Sequence, residues 1–158
     1  MITYRRLTKN DNNLFKKLII DEGAAYREFL GMGWSANEIS NQFDKKTNFS
    51  CGLLYNNTLV SFVLGDLFDI EKFSEYEILL MYVCKNFRKK GLASKLINKI
   101  EEENNYLRKI NLEVSKNNSK AILFYTKMKF KKIYLRKNYF LVDNEKIDAL
   151  VMSKIYKK

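Results

Sequence analysis

Residues 77–93 read EILLMYVCKNFRKKGLA and contain the features that decide the fold. Residues 78–83 form a near-continuous apolar run, which is typical of a strand buried on both faces. Three successive basic residues follow at 88–90, and a helical pattern begins at Gly91 and continues to about residue 107. This order predicts a buried strand, a basic turn and a helix in direct succession.

The basic turn has the chemistry of an anion site. The first amides of a helix have no partners inside the helix, and the helix dipole adds a partial positive charge at that end. Gly91 lets the backbone approach a phosphate closely, and the small side chain of Ala93 keeps bulk away. Alone, the pattern also fits a glycine helix start beside a solvated basic cluster. It has neither the dinucleotide-binding fingerprint nor the Walker-A spacing.

Hydrophobic periodicity along the rest of the chain predicts strands and helices in the order β-α-α-β-β-β-α-β-α-β-β. The predicted strands are residues 2–7, 49–55, 58–68, 77–84, 110–114, 130–136 and 147–155. The predicted helices are residues 11–30, 35–43 and 91–107, and a last one that begins at Asn118 or Ser119. Ser35 with Glu38 forms a capping box, whereas residues 136–140 are predicted to be a loop. This order of elements predicts one mixed sheet with helices on its faces, which is an α/β fold.

Length and composition limit the classes of protein. The 158 residues fit a single domain over 1–158, and no apolar stretch approaches the roughly 20 residues that span a bilayer. The basic N-terminus lacks the apolar run of a signal peptide, so we expect a cytoplasmic protein without a membrane partner. Two cysteines and no histidine argue against a disulfide framework and against a metal site.

The formal net charge of +11 has two interpretations. A strongly basic chain attracts polyanions, so direct nucleic-acid or ribosome binding is one of them. The lysines are nevertheless spread along the whole chain and mixed with many Asn and Ile residues, which also fits a coding bias. The sequence leaves both open.

Residues 77–93 resemble the acetyl-CoA signature of the GCN5-related N-acetyltransferase (GNAT) superfamily, Gln/Arg-x-x-Gly-x-Gly/Ala. The resemblance implies a mixed, mostly antiparallel sheet with helices on both faces and two strands that splay at the cofactor site. It implies that the loop amides hold the pyrophosphate of acetyl-CoA and that the preceding strand binds the pantetheine arm. The implied cofactor contacts are Met81, Tyr82 and Val83 on the strand, and Arg88, Lys89, Lys90, Gly91, Leu92, Ala93 and Ser94 in the loop.

Residues 112–125, LEVSKNNSKAILFY, resemble the next signature of the superfamily. With residues 33–35, 135–140 and 148–152 they are similar to the ribosomal-protein alanine N-acetyltransferase, or RimI-like, branch. That resemblance implies transfer to the α-amine of a protein N-terminus, with a ribosomal protein as the expected acceptor. The implied roles are Glu113 as general base, Tyr125 as general acid, Asn118 as a cofactor contact, and Trp34 and Tyr139 as contacts to the acceptor.

This chemistry fits the acceptor. An α-amine has a pKa of about 7.7–8.0, so a carboxylate suffices as base, directly or through a water, and no covalent enzyme intermediate is required. From the residues alone, Glu113 also fits a strand carboxylate paired with a lysine, and Tyr125 fits a core tyrosine. The alternative functions are acetylation of a small-molecule amine or a lysine side chain, and a non-catalytic module that binds RNA or ribosomes. Lys129 stands where the branch has Gly before Phe130, which leaves the acceptor open.

Overall fold

One mixed sheet crosses the protein in the computed structural model, which describes residues 1–157. Its strands are β1 (Ile2–Leu7), β2 (Ser50–Tyr55), β3 (Thr58–Ile70), β4 (Phe73–Val83), β5 (Leu107–Ser115), β6 (Lys131–Val142) and β7 (Glu145–Ile155). The helices are α1 (Asn12–Asp21), α2 (Gly23–Gly31), α3 (Ala36–Phe43), α4 (Leu92–Glu103) and α5 (Ser119–Lys127), with 3-10 turns at Lys9–Asp11 and Lys85–Phe87.

The strand order is β1-β2-β3-β4-β5-β7-β6. Within residues 1–157, β4 and β5 form the only parallel pair, and every other neighbouring pair is antiparallel. The predicted α/β fold with a mostly antiparallel mixed sheet is therefore confirmed. In the same part of the chain, no helix is long and apolar enough to cross a bilayer.

The parallel pair separates near the middle of the sheet. The register of β4 with β5 runs from Ser74 opposite Leu107 to Ile78 opposite Leu112, whereas both strands continue beyond these residues. At the same height the register of β4 with β3 shifts by one residue, which leaves Leu79 as a β-bulge. Because a bulge bends its strand, β4 turns away from β5 here. The predicted splayed strands are confirmed.

Strand alternation divides the core between the two faces of the sheet. On one face Leu53 and Val63 pack with the apolar side of α4 and with α5. On the other face Leu54 and Phe62 pack with α1, α2 and α3. Each helix thus buries one apolar stripe, as its periodicity predicted.

Two helix predictions are wrong at their boundaries. The single helix predicted over 11–30 is two helices, because Glu22 has non-helical dihedral angles (φ −118°, ψ 49°) and its side chain is bonded elsewhere. The helix predicted to end at 107 ends at Glu103, where the Asn104 side chain donates to the Ile100 carbonyl at 2.7 Å. Leu107 already belongs to β5.

The loop predicted over 136–140 is also wrong, because these residues lie inside β6. The hairpin of β6 with β7 turns at Asp143 and Asn144, whose φ angles are both positive, as in a type I′ turn. The register nevertheless shifts between Arg136 and Phe140, and Asn138 has a φ of +56°. The polar composition that indicated a loop therefore belongs to a bulge within a strand.

Candidate active site

The edge of β4 beyond the splay carries the first predicted cofactor contacts. The Cys84 amide donates to the Val60 carbonyl at 2.8 Å, and the Tyr82 carbonyl accepts from Ser61 Oγ at 3.0 Å. Because backbone polar groups alternate along a strand, those of Met81 and Val83 point away from β3 into the gap. The structure thus places Met81 and Val83 at the gap and binds the Tyr82 backbone to β3.

The basic turn connects this strand edge to α4. Lys89 and Gly91 both have left-handed backbones, with φ of +61° and +75°, and Gly91 is the N-cap of α4. The amides of Leu92, Ala93 and Ser94 begin the helix, and Gly91 has no side chain that could cap them. Among residues 1–157, apart from the chain neighbours of Gly91, no heavy atom lies within 4 Å of a Cβ placed on it. The left-handed φ favours glycine at this position, and the space in front of it is open.

We expect Gly91→Ala to weaken coenzyme A binding by more than tenfold. The left-handed φ costs about 1–2 kcal/mol for a residue with a Cβ, and the new methyl group occupies the open space where a phosphate would lie. Gly33→Ala is the control for backbone strain, because Gly33 has a φ of +87° with the same open surroundings. Thermal melts should show a similar loss of stability in both variants, and calorimetry with coenzyme A should show a much larger loss of affinity for Gly91→Ala. Equal affinities would contradict the prediction.

The three basic side chains of the turn differ in their contacts. Arg88 folds back on the strand, where Nε donates to the Val83 carbonyl at 3.0 Å and a terminal nitrogen to the Tyr82 hydroxyl at 3.3 Å. Lys89 and Lys90 are exposed, and Lys90 Nζ lies 5.3 Å from the centre of the Phe87 ring. All three charges are exposed, but Arg88 is already held by hydrogen bonds to β4, which leaves the two lysines to reach a ligand.

Tyr125 lies on α5 against the splayed end of β4. It is 8% exposed, and its hydroxyl lies 3.8 Å from Met81 Sδ. Its ring packs edge-on against Phe124 and Phe130. Burial raises the pKa of Tyr125, so the hydroxyl is protonated at neutral pH. A proton donor is thus held beside the gap between the strands.

Asn118 occupies the N-cap of α5. Its Oδ1 accepts from the Ala121 amide at 3.2 Å, so the side-chain oxygen is used to start the helix that carries Tyr125. The start of this helix at Asn118 or Ser119 is confirmed. The predicted contact of Asn118 with the cofactor stays a prediction.

A cleft of about 290 Å³ lies beside the splay. It is lined by Met32, Gly33, Trp34, Glu38, Glu77, Ile78, Leu79, Glu113, Tyr139 and Phe140. Three predicted residues that are far apart in sequence, Trp34, Glu113 and Tyr139, therefore meet in one cleft. Tyr139 at its rim is 49% exposed, so the cleft reaches the surface.

A helix terminus positions Trp34. The Trp34 amide donates to the Phe29 carbonyl at 2.7 Å and the Gly33 amide to the Leu30 carbonyl at 3.0 Å, which together form a Schellman motif with Gly33 in the left-handed conformation. The next residue, Ser35, caps α3 by accepting from the Glu38 amide at 3.1 Å. The predicted helix break and the Ser35 cap are confirmed.

Two carboxylates from neighbouring strands line the cleft, and the sequence pointed to only one of them. Glu113 on β5 forms an ion pair with Arg136 on β6, with Oε1 and Nη1 3.2 Å apart. Glu77 on β4 is half-buried. Burial, followed by the negative charges of Glu113 and Asp66, raises the pKa of Glu77. The sequence did contain a signal for Glu77, because it lies between residues 76 and 78, which are buried in the core. A carboxylate at such a position in a strand faces either solvent or a functional site.

Asp148 on β7 holds the bulge that presents Tyr139. Its Oδ1 accepts from the Asn138 amide at 2.9 Å, and Oδ2 lies 3.5 Å from Lys116 Nζ. The hydrogen bond from the Asn138 amide, together with the positive charge of Lys116, lowers the pKa of Asp148. The neighbouring Tyr139 has a raised pKa, first through its polar interaction with Glu113 and then through burial. The bulge therefore places Tyr139 in the cleft that Glu113 also lines.

We expect Glu77→Gln to raise Tm at neutral pH. The folded-state pKa of Glu77 is raised, so its charge costs stability at pH above that value, and this cost is lost as pH falls below the unfolded value of about 4.3. Asp148→Asn is the control of opposite sign, because the lowered pKa of Asp148 means that its charge stabilises the fold at neutral pH. Thermal melts at pH 7 and at pH 3.5 measure both. A lower Tm for Glu77→Gln at pH 7 would contradict the prediction.

The splayed strand pair, the uncapped N-terminus of α4 and the adjoining cleft define a site of the acyltransferase class. Residues 19–130 match the family model of the acetyltransferase (GNAT) family, and the chain therefore belongs to that family. It is an N-acetyltransferase with acetyl-CoA as the acetyl donor. The residues fit this donor, because Gly91 faces open space and Met81 and Val83 turn their polar backbone groups to the gap. Residues 1–157 contain no group of three side chains that could hold a metal ion.

Solved structures share this fold over nearly the whole chain. Arabidopsis thaliana NAA60 with a bisubstrate analogue has a TM-score of 0.79 at 18% identity, covering 98% of both chains. The Escherichia coli ribosomal-protein-S18-alanine N-acetyltransferase has a TM-score of 0.75 at 19% identity, covering 97% of this chain and 92% of that one. Ard1 from Thermoplasma volcanium has a TM-score of 0.73 at 21% identity, covering 99% of both. A sequence comparison with curated proteins finds no match.

Proposed function

We propose that this protein acetylates the α-amine of a protein N-terminus, with a ribosomal protein as the expected acceptor. The observation that carries the proposal is the cleft in which Trp34, Glu113 and Tyr139 meet beside the splay. Two aromatic side chains, Trp34 and Tyr139, line this cleft and offer apolar surface to the first residues of a peptide. The names of similar structures, NAA60 and the ribosomal-protein-S18-alanine N-acetyltransferase, support this acceptor class.

In the proposed reaction Glu113 removes a proton from the acceptor amine, directly or through a water. The amine then attacks the acetyl carbonyl, and the bond from that carbonyl to sulfur breaks. Arg136 forms an ion pair with the Glu113 carboxylate and orients it, and Tyr139 lines the same cleft. Glu113 is favoured over Glu77 as base because Arg136 orients its carboxylate.

Tyr125 is the proposed general acid for the leaving sulfur. Burial raises the pKa of its hydroxyl, and the same apolar surroundings raise the pKa of a thiol that leaves beside it. Because the pKa of the hydroxyl is raised, Tyr125 still carries the proton that the leaving thiolate takes up. The exposed lysines Lys89 and Lys90, with the first amides of α4, are the proposed pyrophosphate contacts.

A panel of acceptors tests this function. The protein is incubated with acetyl-CoA and with peptides that begin with different residues, with the same peptides blocked at the N-terminus, with free lysine and with small amines. We expect turnover only of the free N-terminal peptides, including those that begin with alanine. Acetylation of small amines without turnover of any peptide would overturn the acceptor class. Salt-sensitive RNA binding without any turnover would favour the non-catalytic binding module instead.

A further inference from the structure

Glu22 joins the acceptor side of the protein to the cofactor side, and the reaction proposed above gives it no role. It is the residue between α1 and α2, and both of its carboxylate oxygens accept hydrogen bonds from the end of β4. Oε2 accepts from the Tyr82 hydroxyl at 2.9 Å, and Oε1 accepts from the Lys85 amide at 3.0 Å. A single carboxylate thus bridges residues that are about 60 positions apart in sequence.

The bridge continues into the basic turn. The Tyr82 hydroxyl accepts from Arg88 at 3.3 Å while it donates to Glu22, and Arg88 Nε donates to the Val83 carbonyl. Hydrogen bonds with a charged donor or acceptor are roughly twice as strong as neutral ones, and this chain has a charged group at each end. Glu22, Tyr82 and Arg88 therefore form one relay from α1–α2 to the cofactor loop.

The hydroxyl in the middle keeps its proton. Burial, followed by the bond to Glu22, raises the pKa of Tyr82 to about 12. At neutral pH the relay thus has one direction, with Arg88 donating to Tyr82 and Tyr82 donating to Glu22. The Tyr82 ring also packs edge-on against Phe29 of α2, with centroids 5.2 Å apart. Tyr82 is therefore bound to the acceptor-side helices by its ring and by its hydroxyl.

We propose that Glu22 is a positioning residue that couples the cofactor loop to α2 and, through α2, to the acceptor cleft. The inference rests on the function proposed above, because it assigns the loop to coenzyme A and the cleft to the acceptor. The C-terminus of α2 continues directly into Met32, Gly33 and Trp34, which line the cleft. Ordering of the loop by a bound phosphate therefore orders α2 as well. The bond from the Lys85 amide to the Glu22 carboxylate links the backbone before the loop to the residue that precedes α2.

The test uses coenzyme A as the probe and Glu22→Gln as the variant. A glutamine side chain has the same shape but only one acceptor oxygen and no charge. If that oxygen accepts from the Lys85 amide, the NH₂ group faces the Tyr82 hydroxyl and can only donate to it, so the charge-assisted bond from Tyr82 is lost and the direction of the relay is broken. We expect the Kd for coenzyme A to rise about tenfold, the effect of losing one charge-assisted bond. The KM for acetyl-CoA should rise in parallel, while kcat at saturating acetyl-CoA stays within about twofold.

Hydrogen exchange separates coupling from simple loss of affinity. At saturating coenzyme A, the wild-type protein should gain protection in residues 85–94 and also in residues 23–34. Glu22→Gln should gain it only in residues 85–94. Tyr82→Phe removes the hydroxyl from the relay and should show the same selective loss at 23–34. The controls are Glu28→Gln on the exposed side of α2 and Tyr106→Phe, both of which should behave as wild type.

The outcomes distinguish the two proposals. If the wild-type protein does not bind coenzyme A, the proposed function fails. If it binds coenzyme A but residues 23–34 gain no protection, or if Glu22→Gln retains that protection and an unchanged Kd, the role of Glu22 is overturned while the proposed function stands.

Discussion

Tyr125→Phe should lower kcat by on the order of 10²–10³ while the affinity for coenzyme A stays within about twofold. The substitution removes only the hydroxyl, whose one hydrogen-bond partner in the described chain is Met81 Sδ, at the long distance of 3.8 Å. The phenyl ring keeps its edge-on packing with Phe124 and Phe130. The loss should therefore fall on the chemical step and leave folding and cofactor binding nearly unchanged.

Steady-state kinetics with an acceptor peptide, calorimetry with coenzyme A and a thermal melt measure these three quantities. Tyr106→Phe is the matched control, because Tyr106 is 73% exposed and lies on the short connection between α4 and β5. A kcat for Tyr125→Phe within threefold of wild type would show that Tyr125 is a core residue. The leaving sulfur would then receive its proton from solvent or from another group.

Glu113→Gln should also lower kcat by on the order of 10²–10³, because the amide cannot accept the proton of the acceptor amine. Glutamine matches glutamate in shape, and the side chain is 17% exposed, so the fold should tolerate the change. The deficit should shrink as the pH rises above about 8, since a larger share of the α-amine is then already neutral. A pH profile of kcat/KM from about pH 6 to 10 for both proteins measures this convergence.

Glu77→Gln is the internal control for that experiment. It changes the same residue type in the same cleft, on the neighbouring strand. We expect its kcat to fall by less than about tenfold, because only the field around Glu113 changes. A larger loss for Glu77→Gln than for Glu113→Gln would transfer the role of general base to Glu77. Equal large losses would show that the two carboxylates act as one unit.

The basic turn and its helix could be predicted from the sequence because local chemistry decides them. A buried strand, three basic residues and a glycine determine where the strand ends and where α4 begins. Gly91 and Gly33 both have the left-handed φ that glycine adopts most easily. The starts of α3 and α5 could be predicted equally well, because Ser35 and Asn118 accept hydrogen bonds from amides of the helices that they cap.

Two of the wrong predictions have a common cause in contacts between distant elements, whereas the early end of α4 follows from the local bond of Asn104 to Ile100. Residues 11–30 have a continuous helical pattern, yet Glu22 leaves the helical conformation and bonds to Tyr82 and Lys85 across the sheet. Residues 136–140 are polar enough for a loop, yet pairing with β7 and the bond from the Asn138 amide to Asp148 keep them in β6. No pattern within either segment contains its distant partner.

The sequence by itself determined the class of fold, the anion-binding turn and the residue types available for catalysis, because each depends on neighbours within about one helical turn. Only the tertiary structure decided which side chains meet. The register of β4 with β5 places Glu77 and Glu113 in one cleft, and the Schellman turn and the β6 bulge add Trp34 and Tyr139. Strand register and helix packing angle depend on the whole core. No single segment of the sequence therefore predicts which side chains meet across the sheet.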